Sequence, residues 1–142
     1  MKEIYPDSFY RGIMQNCLVD GYLLPDTFRL DKGRDDGYEE ISITWNDDDD
    51  AFRIIASQRN ERTGDIQFSD GICEIERIEF ENRMIPHIVL KNMGYERRET
   101  DTNVYHGNIL VKENLTKQVK NMIKAQLALL AQDCIIENPY VI

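Results

Sequence analysis

The chain is short of the residues from which small catalytic centres are commonly built: three cysteines and two histidines in 142 residues. Cys17, Cys73 and Cys134 are odd in number, lie far apart and form no C-x-x-C pair, so neither a disulfide framework nor a thiolate zinc site is expected. His87 and His106 stand in no H-x-x-x-H or H-E-x-x-H frame, which removes the remaining route to zinc. G-x-S-x-G, G-x-x-x-x-G-K-[ST] and G-x-G-x-x-G are all missing. Covalent hydrolysis and nucleoside triphosphate chemistry therefore have no anchor, and no cofactor is called for. No run approaches the roughly 18 apolar residues of a membrane span, and residues 1–7 lack the long apolar core of a secretion signal. A reducing cytoplasm and no membrane association are expected.

Positive charge is also scarce. Seventeen bases face 26 acids, for a net charge of -9 and a pI near 4.7. Such a chain repels free nucleic acid, and its only basic footprint is Lys112, Lys117, Lys120 and Lys124. A nucleic-acid face would have to use Lys117, Lys120 and Lys124, although a solvated helix face explains the same spacing. The surplus of carboxylates maintains solubility. Its sharper reading is a surface that recognises a basic protein partner.

With 42% hydrophobic and 30% charged residues and no linker or internal repeat, residues 1–142 read as one globular domain. Residues 9–13 read as a strand, and 22–30 as a second one bent at Pro25. Residues 39–45 alternate cleanly, with Ile41, Ile43 and Trp45 on one face and Ser42 and Thr44 on the other. A short helix is expected from Asp48, with acids at its start and bases within. Residues 66–68, 72–80, 84–90 and 104–111 read as strands, 92–103 as a loop, and 72–80 also suits a helix. Residues 115–132 carry the strongest helical stripe, Val119, Met122, Ile123, Leu127 and Leu130, with Asn114 or Thr116 as cap. Residues 135–142 could add one edge strand. The expected fold is α+β, with a largely antiparallel sheet and a long C-terminal helix packed on it.

Two polar triplets stand in apolar runs: Tyr10-Arg11-Gly12 and His106-Gly107-Asn108. Arg11 offers a planar five-donor fork suited to a carboxylate or phosphate, though in so acidic a chain its default partner is one of the 26 acids. His106 and Asn108 share a strand face, where an imidazole and a carboxamide can bind a ligand or simply the sheet edge and water. The acids of 46–50 invite a hard cation, yet neighbouring carboxylates diverge, and a cap with a solvated turn explains them. Residues 31–42 fail the calcium-loop template, since Gly37 falls one place late and Ser42 stands where a bidentate Glu belongs.

The triplets, with Thr27-Phe28-Arg29-Leu30, Ile41-Ser42-Ile43 and a closing alanine/leucine helix, resemble a set of small uncharacterised bacterial proteins. That likeness implies no activity. A more distant one is to ADP-ribosyltransferase-type folds, in which Tyr-Arg-Gly and a Ser-x-Thr strand, here Ser42-Ile43-Thr44, help hold NAD; no glutamate can be assigned to the catalytic position. Three expectations result. The first is a non-enzymatic accessory, immunity or inhibitor protein that binds a basic partner. The second is a small-ligand or NAD-type enzyme whose cleft gathers Tyr10, Arg11, Ser42, Thr44, His106 and Asn108. The third is nucleic-acid binding through the three helix lysines.

Overall fold

The computed structural model describes residues 4–141. It is one α+β domain built on a six-stranded antiparallel sheet of order β6-β7-β4-β1-β5-β8. The strands are β1 (Ser8–Gly12), β4 (Tyr38–Trp45), β5 (Ile72–Glu76), β6 (Met93–Arg97), β7 (His106–Lys112) and β8 (Ile135–Ile136). A separate small hairpin, β2 (Leu18–Val19) and β3 (Tyr22–Leu23), precedes a 3-10 turn at Pro25–Phe28.

Alternation in β1 and β4 sends Phe9, Ile41, Ile43 and Trp45 into the larger core with Phe80, Met84, Ile123 and Leu127. That face is covered by α2 (Arg77–Val89) and α3 (Lys117–Gln132). The opposite face carries a smaller cluster of Tyr10, Ile55, Phe68 and Ile72 beneath α1 (Asp49–Ala56) and the segment that follows it. Asp48 caps α1 by accepting from the Asp50 N–H at 2.9 Å, and Thr116 caps α3 by accepting from the Val119 N–H at 3.2 Å.

Five expectations are corrected. Residues 22–30 are not a bent strand: Asp20 and Gly21 hold left-handed φ values of 53° and 81°, the signature of a tight two-residue hairpin turn, and the chain then enters the 3-10 turn. Residues 72–80 are strand only as far as Glu76, and 84–90 are helical, because α2 turns Phe80 and Met84 into the core at i and i+4 and packs Ile88 one turn on. Ile78, Ile85 and Val89 lie on its exposed side, and Pro86 falls within the helix rather than breaking it. Residues 92–103 contain edge strand β6, whose Met93 and Tyr95 pack inward while Glu96 and Arg97 form ion pairs. Residues 66–68 make only an isolated bridge, Arg59 to Ile66.

Trp45 reaches across the sheet to donate Nε1–H to the Glu96 carbonyl at 3.1 Å, directly over Gly107. A Cβ on Gly107 would overlap both groups, so the glycine of the second triplet is a seat for the indole. No helix among the described residues is long and apolar enough to cross a membrane.

A candidate anion-binding cavity at a gap in the sheet

The ladder between β1 and β4 stops early. Phe9 pairs with Trp45 and Tyr10 with Thr44, after which the strands part. Four residues before Thr44, near the start of β4, Glu40 exchanges both backbone hydrogen bonds with Asp31 at 2.8 and 3.0 Å. Between these pairings the Ser42 backbone edge faces a gap, and Arg11 fills it. The Arg11 Nη1–H donates to the Ser42 carbonyl and Nε–H to the Thr27 carbonyl, each at 2.9 Å.

Arg11 is only 7% exposed, yet among the described residues no carboxylate lies within salt-bridge distance of it. The expectation of a paired acid is therefore overturned: its partners are two neutral carbonyls. Burial pulls the guanidinium below its ordinary pKa, while Cys73 and Asp31 act in the opposite direction. An arginine nevertheless remains charged at neutral pH. A buried cation without a counter-charge is costly unless something polar completes its shell.

A cavity of about 220 Å³ opens beside this fork. Tyr10, Arg11, Ser42, Thr44 and His106 all line it, so five of the six candidate residues converge. Register explains much of this. His106, Thr44, Tyr10 and Glu74 form one cross-strand row on the α1 side of the sheet, with neighbouring strands about 4.8 Å apart. Asn108 is the exception, since its Nδ2 donates to Glu96 Oε2 at 2.9 Å and it does not line the cavity.

Several of the polar groups in and beneath this lining are held by hydrogen bonds. His106 Nδ1 lies 2.8 Å from the Arg98 carbonyl, which can only accept, so Nδ1 carries the proton and Nε2 is left as an acceptor. Thr44 Oγ1 accepts from Asn103 Nδ2 at 3.0 Å, and Asn103 Oδ1 accepts from the Tyr105 N–H at 2.9 Å. Burial, then the nearby Glu74, Cys134 and Asp49, pushes the Tyr10 phenol up to about 12. Burial also pushes the Cys73 thiol, which donates to the Arg11 carbonyl at 3.3 Å, up to about 12. Gly12 completes the first triplet: Phe68 lies flat against it as a cavity wall, in the space a Cβ would occupy.

Several lining residues were not foreseen from the sequence. Asn103 sat in an apparent loop; Gln58 and Gln67, hydrogen-bonded to each other at 3.1 Å, belong to the segment over the cavity. Arg29 and Asp31, paired at 3.4 Å, complete its charged lining. None carries a local signal, because the fold brings them together from segments that are separate in the chain.

The other candidates have structural partners. Lys120 bonds to Glu39 at 2.7 Å and Lys124 to Asp26 at 3.0 Å, which leaves exposed Lys117 as the freest of the three helix lysines. In the acidic run, Asp48 caps α1, Asp47 pairs with Arg97 and Asp50 pairs with Arg53. Among the described residues no group of three or more His, Cys, Asp or Glu side chains is placed to hold a metal ion.

No protein-family model, curated protein or solved structure matches this chain. Function is therefore argued from the site itself.

Proposed function

We propose that the chain binds a small polar molecule in the cavity between β1, β4 and α1. The observation that supports this most is the convergence of Arg11, Thr44, Asn103 and His106 on one hollow, each side chain fixed by hydrogen bonds to other parts of the fold. Such preorganisation favours binding because little freedom remains to be lost. The volume of about 220 Å³ lies below the roughly 300–1,000 Å³ of drug-sized pockets. A dinucleotide cannot be enclosed, so NAD is not the ligand favoured here.

A thermal-shift screen of small metabolites tests the reading, run beside Gln67→Trp. Gln67 is exposed at the cavity, so an indole there should obstruct entry with little effect on the fold. A ligand that stabilises the wild type and not Gln67→Trp supports the reading. Stabilisation of both alike, or none across the screen, counts against it.

A second reading has its own observation. Between α2 and the end of α3 lies a hollow of about 510 Å³ lined by Asp7, Glu74, Glu76, Glu79 and Asp133 against a single cation, Arg77, which is paired with Glu81; exposed Ile78 and half-buried Leu130 lie beside them. Carboxylates around exposed apolar surface favour a basic partner segment. An affinity that does not weaken between low and high salt would contradict a charge-driven contact.

A further inference from the structure

We infer that the ligand of this cavity is a small oxyanion, a carboxylate or phosphate, whose charged oxygens meet the free edge of the Arg11 fork. The inference rests on the binding reading above and specifies its chemistry. Arg11 uses one Nε–H and one Nη1–H on backbone carbonyls, and no bond to Nη2 is formed within the described chain. A guanidinium has five N–H groups, and those of one edge can bond a carboxylate or phosphate side by side. The local charge agrees. The charged side chains lining the cavity are Arg11, Arg29 and Asp31, two cations and one anion, in a chain whose net charge is -9. Asp31 favours the charged guanidinium through space but forms no ion pair with it, and its nearest cation is Arg29 at 3.4 Å.

A second lining residue narrows the class. His106 presents Nε2 as an acceptor, so a ligand hydroxyl can donate there while the acid group rests on Arg11. A hydroxy acid or a small alcohol phosphate has both features. An arginine that merely plugged the sheet would serve the two carbonyls without needing an anion, and that is the alternative the experiment must separate.

Binding is measured by calorimetry with matched probes: lactate against lactamide, and glycerol phosphate with inorganic phosphate against glycerol. Hydrogen bonds to a charged group predict that the favoured acid binds roughly tenfold or more tightly than its neutral counterpart. Which of the two acid arms responds distinguishes carboxylate from phosphate. Arg11→Lys keeps the charge but loses the fork, and should weaken that acid about tenfold. Because Arg11 is buried, exposed Arg29→Gln provides a second variant that leaves the fold intact and should weaken it a few-fold. Equal affinity for acid and neutral probe would overturn the oxyanion while leaving small-molecule binding in place. Absence of binding by every probe, when the metabolite screen yields a neutral ligand, would do the same. If that screen is empty as well, both readings fall.

Discussion

The contact between Gly12 and Phe68 gives the sharpest energetic test of how the cavity is built. An added Cβ on Gly12 would sit less than 3.0 Å from the Phe68 ring, a separation real Cβ atoms essentially never show. The glycine needs no unusual backbone, as it pairs with Ile72 in the regular β1–β5 ladder. Alanine should therefore gain about 0.5 kcal/mol from the lower entropy of the unfolded chain. Displacing the ring costs more, about 2 kcal/mol for overpacking, so Gly12→Ala should destabilise by a net ~1.5 kcal/mol. For a domain of this size the melting temperature should fall by roughly 3–6 °C. Phe68→Ala alone should cost about 3 kcal/mol, the low end for a buried phenylalanine, because its ring edges the cavity. With the ring gone the same glycine change should become slightly stabilising, which gives a coupling of about 2 kcal/mol. Urea denaturation followed by Trp45 fluorescence measures all four corners of the cycle. A coupling below about 0.5 kcal/mol would mean the ring does not rest on the glycine, and the cavity wall would have to be drawn differently.

Three further outcomes are expected. Gly107→Ala should cost about 3 kcal/mol or more, because the added methyl meets the Trp45 indole and the Glu96 carbonyl together; Trp45→Phe should relieve part of the loss in the double variant, and strictly additive values would contradict the seat. Lys120→Met should lower stability by about 3 kcal/mol, since it strands Glu39, whose side chain is 3% exposed, without its cation, whereas Glu39→Gln should cost less; denaturant midpoints that reverse this order would refute it. Stability should also decline at alkaline pH. Tyr10 has a folded pKa raised to about 12 against about 10 when unfolded, so its contribution is fully present below pH 10 and disappears as pH approaches 12. Cys73 acts in the same direction, and Tyr10→Phe should flatten the decline; an unchanged profile in that variant would argue against the phenol.

The fold was legible wherever periodicity and burial agree. In β4 the alternation of Ile41, Ile43 and Trp45 with Ser42 and Thr44 corresponds to a strand with two covered faces; in the α3 stripe Ile123 and Leu127 are buried and Val119 and Leu130 pack against the core, whereas Met122 is exposed. Residues 72–90 misled because α2 exposes Ile78, Ile85 and Val89, which fills the gaps between Phe80, Met84 and Ile88 and makes a helix resemble a broad apolar run. Edge strand β6 was obscured by its charges, which serve Arg34 and Asp47 across the sheet.

Both triplets contribute residues to one cavity, as a cation and an imidazole within apolar strands need partners, although Asn108 turns away to Glu96. What each glycine does could not be read, since Phe68 and Trp45 arrive from distant segments. Nor could the gap between β1 and β4, which is a property of register: the sequence of β1 alone does not reveal that its pairing with β4 ends at Tyr10.

The side-chain nitrogen spectrum of Arg11, recorded on protein labelled at arginine and titrated with lactate and glycerol phosphate, tests the oxyanion reading most directly. The account predicts that the Arg11 Nε and Nη signals shift in a saturable way with one of these acids while those of Arg34 and Arg77, already held by carboxylates, stay in place. Arg11 signals that do not move, or movement confined to arginines outside the cavity, would contradict it.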